Sequence, residues 1–174
     1  MDTKNAIRIW AKEKRKELNN KEISNILTKN LAKTKEYKES KNILIFYPKE
    51  NEINLLNLLE DNSKNFYLPR IDKTNLLCCP YKKGEKLFDS CFKTKEPFSE
   101  PINKTELDLI IVPALVVDKN RYRLGYGGGY YDRFLRNIKC KTCVCIPEEL
   151  FIETIFPEEH DIKIDIIITD KKVF

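Results

Sequence analysis

Glycine is scarce in this chain of 174 residues, yet four of its five glycines stand together at Gly125, Gly127, Gly128 and Gly129. Glycine permits positive φ and lets a ligand approach the backbone with no Cβ in the way. The segment Arg123-Leu124-Gly125-Tyr126-Gly127-Gly128-Gly129-Tyr130-Tyr131-Asp132 lies just ahead of a helical pattern. Free N–H groups before a helix start make a cradle for an anion, and Arg123 adds a fixed positive charge. The pattern is neither a dinucleotide fingerprint nor a Walker A loop, because Tyr130 stands where a third fingerprint glycine belongs and no Gly-Lys-Ser/Thr follows. Phosphate binding is the chemistry this composition suits, against the alternative of a flexible glycine turn.

A second basic feature opens the chain. Ile7, Ala11 and Leu18 fall on one helical stripe with Trp10 at its edge, and Lys4, Arg8, Lys12 and Arg15 stand on the neighbouring face. Such a face is either solvated by snorkelling side chains or forms the rim of an anionic pocket. The cysteines invite a zinc or redox reading, with Cys140, Cys143 and Cys145 close together and Cys78-Cys79 elsewhere. Strand alternation instead puts Cys143 and Cys145 on one face as small hydrophobic residues of a reduced core. A single histidine, His160, excludes motifs that need two, and no G-x-S-x-G elbow accompanies it as a hydrolase would require.

The elements that must position these residues follow from periodicity. Helices are expected around Ile7–Leu18 and through Ile23, Ile26, Leu27 and Leu31, giving a helical segment over about residues 2–35. Strands are expected at Ile43–Tyr47, Phe66–Leu68 ending at Pro69, Leu76–Tyr81, Asp108–Val112, Thr142–Ile146 and Ile164–Thr169. Asn54 reads as the cap of a helix through Leu55, Leu58 and Leu59, and a further helix is expected over Tyr130–Ile138. This alternation predicts a three-layer α/β/α sandwich around a mostly parallel sheet, in one domain over residues 1–174. Lys plus Arg is 32 against 27 for Asp plus Glu, a net charge of +5 that is interspersed rather than gathered as a nucleic-acid coat. The longest apolar run, Leu109–Val117, is far short of the ~20 residues a membrane span needs. With charge in the first residues and no apolar leader, the expected location is the cytoplasm, with reduced thiols, no membrane association and no obligate protein partner.

The residues from Asp108 to Leu135, with Val112-Pro113-Ala114 and the glycine-tyrosine segment at their centre, closely resemble the signature of the 5-formyltetrahydrofolate cyclo-ligase family. Lys4-Asn-Ala-Ile-Arg8, Tyr47-Pro-Lys-Glu-Asn-Glu-Ile53, Leu68-Pro-Arg-Ile71 and His160-Asp-Ile-Lys-Ile-Asp-Ile-Ile-Ile-Thr169 occur in the family's order. Departures are Ala114 and Asn120, where the family commonly has glycine, and the lack of a glutamine near Ile146–Phe151. Asn120 is expected to preserve its turn by tolerating a left-handed backbone.

The resemblance implies ATP- and magnesium-dependent closure of 5-formyltetrahydrofolate to 5,10-methenyltetrahydrofolate through a phosphorylated formyl group, with ADP and phosphate released. It implies nucleotide binding by Lys4, Arg8 and Arg123 through Tyr131, that is Arg123, Leu124, Gly125, Tyr126, Gly127, Gly128, Gly129, Tyr130 and Tyr131. Tyr130 and Arg123 would serve the reacting centre. Tyr47, Glu52, Gly128 and Tyr130 would hold the reduced folate, and Asp132 and Asp165 the magnesium. Lys12 and Arg15 share the basic face but not the family's motif, and are expected to be bystanders. The alternatives are a paralogue that binds ATP but acts on another formamide or carboxyl compound, and a non-catalytic binder of anionic ligands or nucleic acid.

Overall fold

Strands that are apolar without alternation must be covered on both faces, and the architecture follows from that requirement. A computed structural model describes residues 2–174. The chain begins with helices α1 (Thr3–Glu17), α2 (Asn20–Lys33) and the short α3 (Lys35–Glu39). Strands β1 (Asn42–Leu44), β2 (Asn65–Asp72) and β3 (Asn75–Pro80) follow, then a ribbon of β4 (Leu87–Asp89) and β5 (Lys95–Pro97). Next come β6 (Leu109–Ile111), β7 (Val116–Asp118), β8 (Arg123–Leu124) and helix α4 (Tyr130–Phe134). The chain closes with β9 (Lys141–Cys145), β10 (Phe151–Ile152) and β11 (Ile166–Ile168). Among the described residues no helix is long and apolar enough to cross a membrane.

The main sheet has the order β11-β9-β6-β1-β2-β3, parallel except for the β2–β3 pair. Alternation sends Ile43, Leu109, Ile111, Cys143 and Ile168 to one face, where they pack with Leu27 and Leu31 of α2 and Tyr37 of α3. Leu44, Ile110, Val144 and Ile167 point the other way, toward Ala11 of α1, Val116 and Val117 of β7, and Phe134 of α4. The three-layer α/β arrangement around a mostly parallel sheet is therefore present. Its second outer layer is part sheet, because β10, β7 and β8 form a small sheet of their own.

Local chemistry explains several boundaries. Asn19 caps α2, accepting from the Glu22 N–H, and Thr34 caps α3 by accepting from Tyr37. Pro69 does not end its strand as expected: β2 continues to Asp72. The Tyr67 carbonyl accepts from Ile45 on the β1 side, so Pro69, two residues on, turns its nitrogen to the same side. There β1 has already ended, and the missing donor costs nothing. Asn54 does not take the expected cap position: its side chain accepts from the Leu56 N–H just ahead of the segment, the cap falls on Leu55, and only a 3-10 turn over Leu56–Glu60 follows. In the β7–β8 turn the left-handed residue is Arg121, at φ 73°, not Asn120. The buried Asp118 carboxylate stabilises that turn by accepting from the N–H groups of Asn120 and Tyr122.

Cys78, Cys79, Cys143 and Cys145 take core roles, whereas Cys91 is exposed and Cys140 half-buried. Cys143 and Cys145 are buried on one face, and hydrogen bonding to Cys145 together with burial pushes the Cys143 thiol well up. Burial likewise pushes Cys78 and Cys140 up to about 11, far from a reactive thiolate. Among the described residues the cysteines do not converge on a metal-binding cluster. Cys143→Ala is expected to cost about 1–2 kcal/mol through a small cavity. Its melting temperature should fall by the same amount with and without a zinc chelator, which differential scanning calorimetry would read.

Candidate functional site

Tyr47 follows the exit of β1 and Pro113 the exit of β6, two adjacent parallel strands from which the chain winds in opposite directions. Crevices form at such switch points, and here one of about 700 Å³ opens between α1, the turn after β1 and the glycine segment. Of the basic face of α1 only Lys12 is exposed. Lys4 and Arg15 are buried, and Arg8 donates from Nε to the Gly125 carbonyl at 2.9 Å.

The glycine segment is a space-making device. A Cβ on Gly125 would stand 2.7 Å from the Arg123 guanidinium, on Gly127 3.7 Å from that of Arg8, and on Gly129 2.7 Å from that of Arg133. Only Gly127 and Gly129 in this segment take positive φ, 107° and 71°; Gly128 does not, and a Cβ there would meet the Tyr130 ring at 2.8 Å. The helix that follows, α4, has only five residues. Most of the positive field therefore comes from three guanidinium groups folded against the glycines rather than from a helix terminus.

Arg123 is buried, 5.5 Å from the Tyr131 ring and 3.4 Å from Asp132 Oδ1. Burial works against its charge, while Asp132, Tyr131 and Asp161 favour it. Its Nε and the Tyr131 hydroxyl are buried without hydrogen-bond partners, an orphaned donor set beside the cavity. Tyr130 is held at the mouth, edge-on to Phe92 and under the Arg133 guanidinium at 4.9 Å. Leu124 lines the cavity from β8 while its side chain is part of the core.

Across the cavity, Glu52 is held by the turn from Lys49, whose Asn51 adopts φ 60°. The Lys49 N–H donates to Glu52 Oε2 at 2.8 Å, and the Tyr126 hydroxyl donates to Oε1 at 3.2 Å. Two of the carboxylate's roughly four acceptor positions remain for a ligand's N–H edge. Burial raises the Glu52 pKa, opposed by the Lys49 N–H and by the Arg15 charge. The Lys49 ammonium sits 3.8 Å from the Tyr126 ring centroid, its pKa lowered by burial.

Asp132 and Asp165 are not brought together. Asp165 lies at the entry to β11, where its carboxylate accepts from the Thr142 N–H and hydroxyl while its own N–H donates back to that hydroxyl. It does not line the cavity, and its lone pairs join two strand starts. Asp161, four residues earlier, takes the place in the cavity: its carboxylate is 2.7 Å from Lys4 Nζ, with Glu158 at 3.2 Å from the same ammonium. Burial works against the Lys4 charge, but hydrogen bonds and charge from Asp161 and Glu158 outweigh it and raise its pKa. Asp132 and Asp161 both act on Arg123, and Glu158, His160 and Asp161 offer ligand atoms within 4.8 Å of one another. Hard carboxylate oxygens of this kind suit magnesium.

Arg15, expected to be a bystander, is 4% exposed and donates to the Tyr126 hydroxyl at 3.1 Å and to the Ala114 carbonyl. The signal for it was present: it falls on the same helical face as Lys4 and Arg8. For Asp161 the two aspartates of His160–Thr169 were visible, but not which one precedes the strand ladder.

Residues 1–170 match the 5-formyltetrahydrofolate cyclo-ligase family. A 5-formyltetrahydrofolate cyclo-ligase of Haemophilus influenzae is 32% identical over 120 residues, 63% of this chain and 63% of that protein. The Escherichia coli K12 relative of the same name is 28% identical over 144 residues, 76% of this chain and 79% of its own length. The solved structure of Aquifex aeolicus 5,10-methenyltetrahydrofolate synthetase superposes with a TM-score of 0.88 at 28% identity, covering 99% of this chain and 92% of that one. A Mycoplasma pneumoniae 5,10-methenyltetrahydrofolate synthetase shares the fold, with a TM-score of 0.79 at 22% identity over 98% of this chain and 99% of that one. With the glycine segment, the basic helix face and the glutamate turn converging on one cavity, and the match running over residues 1–170, the chain belongs to the 5-formyltetrahydrofolate cyclo-ligase family.

Proposed function

We propose that this protein closes the ring of 5-formyltetrahydrofolate to give 5,10-methenyltetrahydrofolate, consuming ATP with magnesium and releasing ADP and phosphate. The observation that carries the reading is one cavity in which guanidinium groups packed on a glycine segment face a buried, hydrogen-bonded glutamate. The first suits a polyphosphate; the second suits the donor edge of a pterin.

A formamide oxygen is a poor leaving group. In the proposed reaction it attacks the γ-phosphorus, ADP departs, and N10 then adds to the activated carbon, loses its proton and expels phosphate. Positioning and charge stabilisation dominate such chemistry. Arg8, Arg123 and Arg133 bind and orient phosphate oxygens, while Glu52 orients the pterin and Tyr130 closes over the reacting group. Asp132 and Asp161, with Glu158 beside them, would hold magnesium, which when bound neutralises phosphate charge. Lys4 is then free to turn from the carboxylates to the nucleotide.

Incubation with 5-formyltetrahydrofolate, ATP and magnesium should produce the methenyl compound, followed by its near-UV absorbance. Well-folded protein that forms no product in an ATP-dependent manner would sink the reading, and ATP hydrolysis with another formamide would replace it by the paralogue. Arg8→Ala is expected to weaken ATP binding by roughly tenfold, because a charge-assisted contact to phosphate is lost. Its melting temperature should change little, since Arg8 contributes contacts at the cavity wall rather than core area. Isothermal titration calorimetry with unchanged ATP affinity would remove Arg8 from the nucleotide site.

A further inference from the structure

We propose that Arg15 is a positioning residue of the folate end of the cavity, holding the Glu52 carboxylate and the Tyr126 hydroxyl in one fixed arrangement. The inference rests on reading Glu52 as the group that receives the pterin. Arg15 reaches from α1 into the protein, with its side chain 5% exposed, and touches three segments that are distant in sequence. Nη2 donates to the Ala114 carbonyl after β6, Nη1 donates to the Tyr126 hydroxyl, and the same Nη1 lies 3.9 Å from Glu52 Oε1. The Tyr126 hydroxyl passes its own proton to a hydrogen bond with that Oε1. The result is a relay, guanidinium Nη1 to phenol to carboxylate, that runs toward Glu52, with Nη2 anchoring the guanidinium on the Ala114 carbonyl.

The Ala114 carbonyl needs a donor, but a single neutral donor would satisfy it without a full buried charge. A buried charge is costly, and a hydrophobic side chain of similar volume would fill the space at least as well. The arginine is accounted for if Glu52 has to stay ionised in a buried place. Besides Arg15, the charged or titratable groups that act on Glu52 are Lys49, Tyr126 and Tyr131, while Lys12 lies over the Tyr126 ring and acts on Lys49. Lys49 supplies a backbone donor and part of the charge, but burial lowers its own pKa, so it is the weaker support.

Removing the guanidinium should raise the pH at which Glu52 ionises, because its charge is one of the causes that hold the carboxyl down against burial. The test compares the unmodified protein with Arg15→Met and Arg15→Lys. At pH 7, Arg15→Met should raise KM for 5-formyltetrahydrofolate by roughly tenfold with a much smaller change in kcat and in ATP affinity. The KM defect should shrink as pH rises and Glu52 regains its charge. Arg15→Lys, which keeps a cation, should recover most of the KM. Carbon-13 NMR of labelled glutamate carboxyls, with Glu52 assigned by its absence in Glu52→Gln, should show its titration moved upward in Arg15→Met. An unmoved titration, or loss of folate and ATP affinity together with no pH dependence, overturns the proposal. If Arg15→Met fails to fold, Tyr126→Phe interrupts the same relay and is read the same way. If the unmodified protein does not turn over the folate at all, the functional reading fails, while the NMR titration still decides the coupling.

Discussion

Asp161→Asn is expected to lower turnover by roughly 10–100-fold at low magnesium and to regain part of it as magnesium is raised, while Asp165→Ala leaves turnover nearly unchanged. The two residues are four apart in one segment, and their environments differ in kind. Asp161 stands in the cavity against Lys4, beside Glu158 and within reach of the Arg123 charge. A neutral amide there loses a hard anionic ligand but keeps the shape, and a weakened cation site refills by mass action. Asp165 exchanges hydrogen bonds with Thr142 at the starts of β11 and β9. Deleting its carboxylate should cost about 1–2 kcal/mol of stability and lower the melting temperature by several degrees. Magnesium titrations of initial rate, with a thermal melt for each variant, separate the two roles. A magnesium-sensitive Asp165→Ala with an Asp161→Asn of full activity would reverse the assignment.

Gly127→Val is expected to reduce nucleotide affinity by more than ~100-fold, since two penalties combine at one place. Its φ of 107° belongs to a region that β-branched residues avoid, and its missing Cβ faces the Arg8 guanidinium at 3.7 Å. A valine there strains the turn; its Cβ makes only ordinary contact with Arg8, but its γ-methyl groups, reaching further, would crowd one of the cations proposed to bind phosphate. Gly84 supplies the control, because its φ is 90° and a Cβ there would meet nothing within 4 Å. Gly84→Val should thus lose stability alone. Gly128→Val should differ from both: its φ is not positive, so the added side chain acts by displacing the Tyr130 ring, which disturbs the folate end more than the phosphate end. Calorimetric ATP affinities for the three variants decide the matter. Normal affinity in Gly127→Val would dismiss the glycine segment as a phosphate cradle.

Much of this arrangement was legible in the chain. Leu109–Ile111 and Ile166–Ile168 are apolar without a break because both faces of a parallel strand are covered, and that run is visible at any single position along the sequence. Two-residue strands such as β8 and β10 left no such trace, since one turn's worth of alternation cannot be told from loop. Tyr130–Phe134 stops well before the expected Ile138: after the cap at Leu135 the chain tightens into i→i+3 turns, with the Arg136 N–H on the Arg133 carbonyl and the Ile138 N–H on that of Leu135, and Asn137 at φ 59° lies within the second of these turns.

The sequence by itself determined which residue types exist to do chemistry: the glycine cluster with its flanking arginine, the basic face of α1, and the glutamate in a proline-led turn. Local spacing carries that information, because glycine's backbone freedom and a helix's periodicity act over a few residues. Only the tertiary structure decided where each charge ends up. Asp161 rather than Asp165 reaches the cavity because the pairing of β11 with β9 sets where the ladder starts, and Thr142, distant in sequence, claims the later aspartate. Arg15 is a buried partner of Glu52 rather than a solvated bystander because the β6–β7 connection and the glycine segment close over α1. Such assignments depend on which segments meet across the fold, and a charge in water costs little while the same charge in the interior must find a partner.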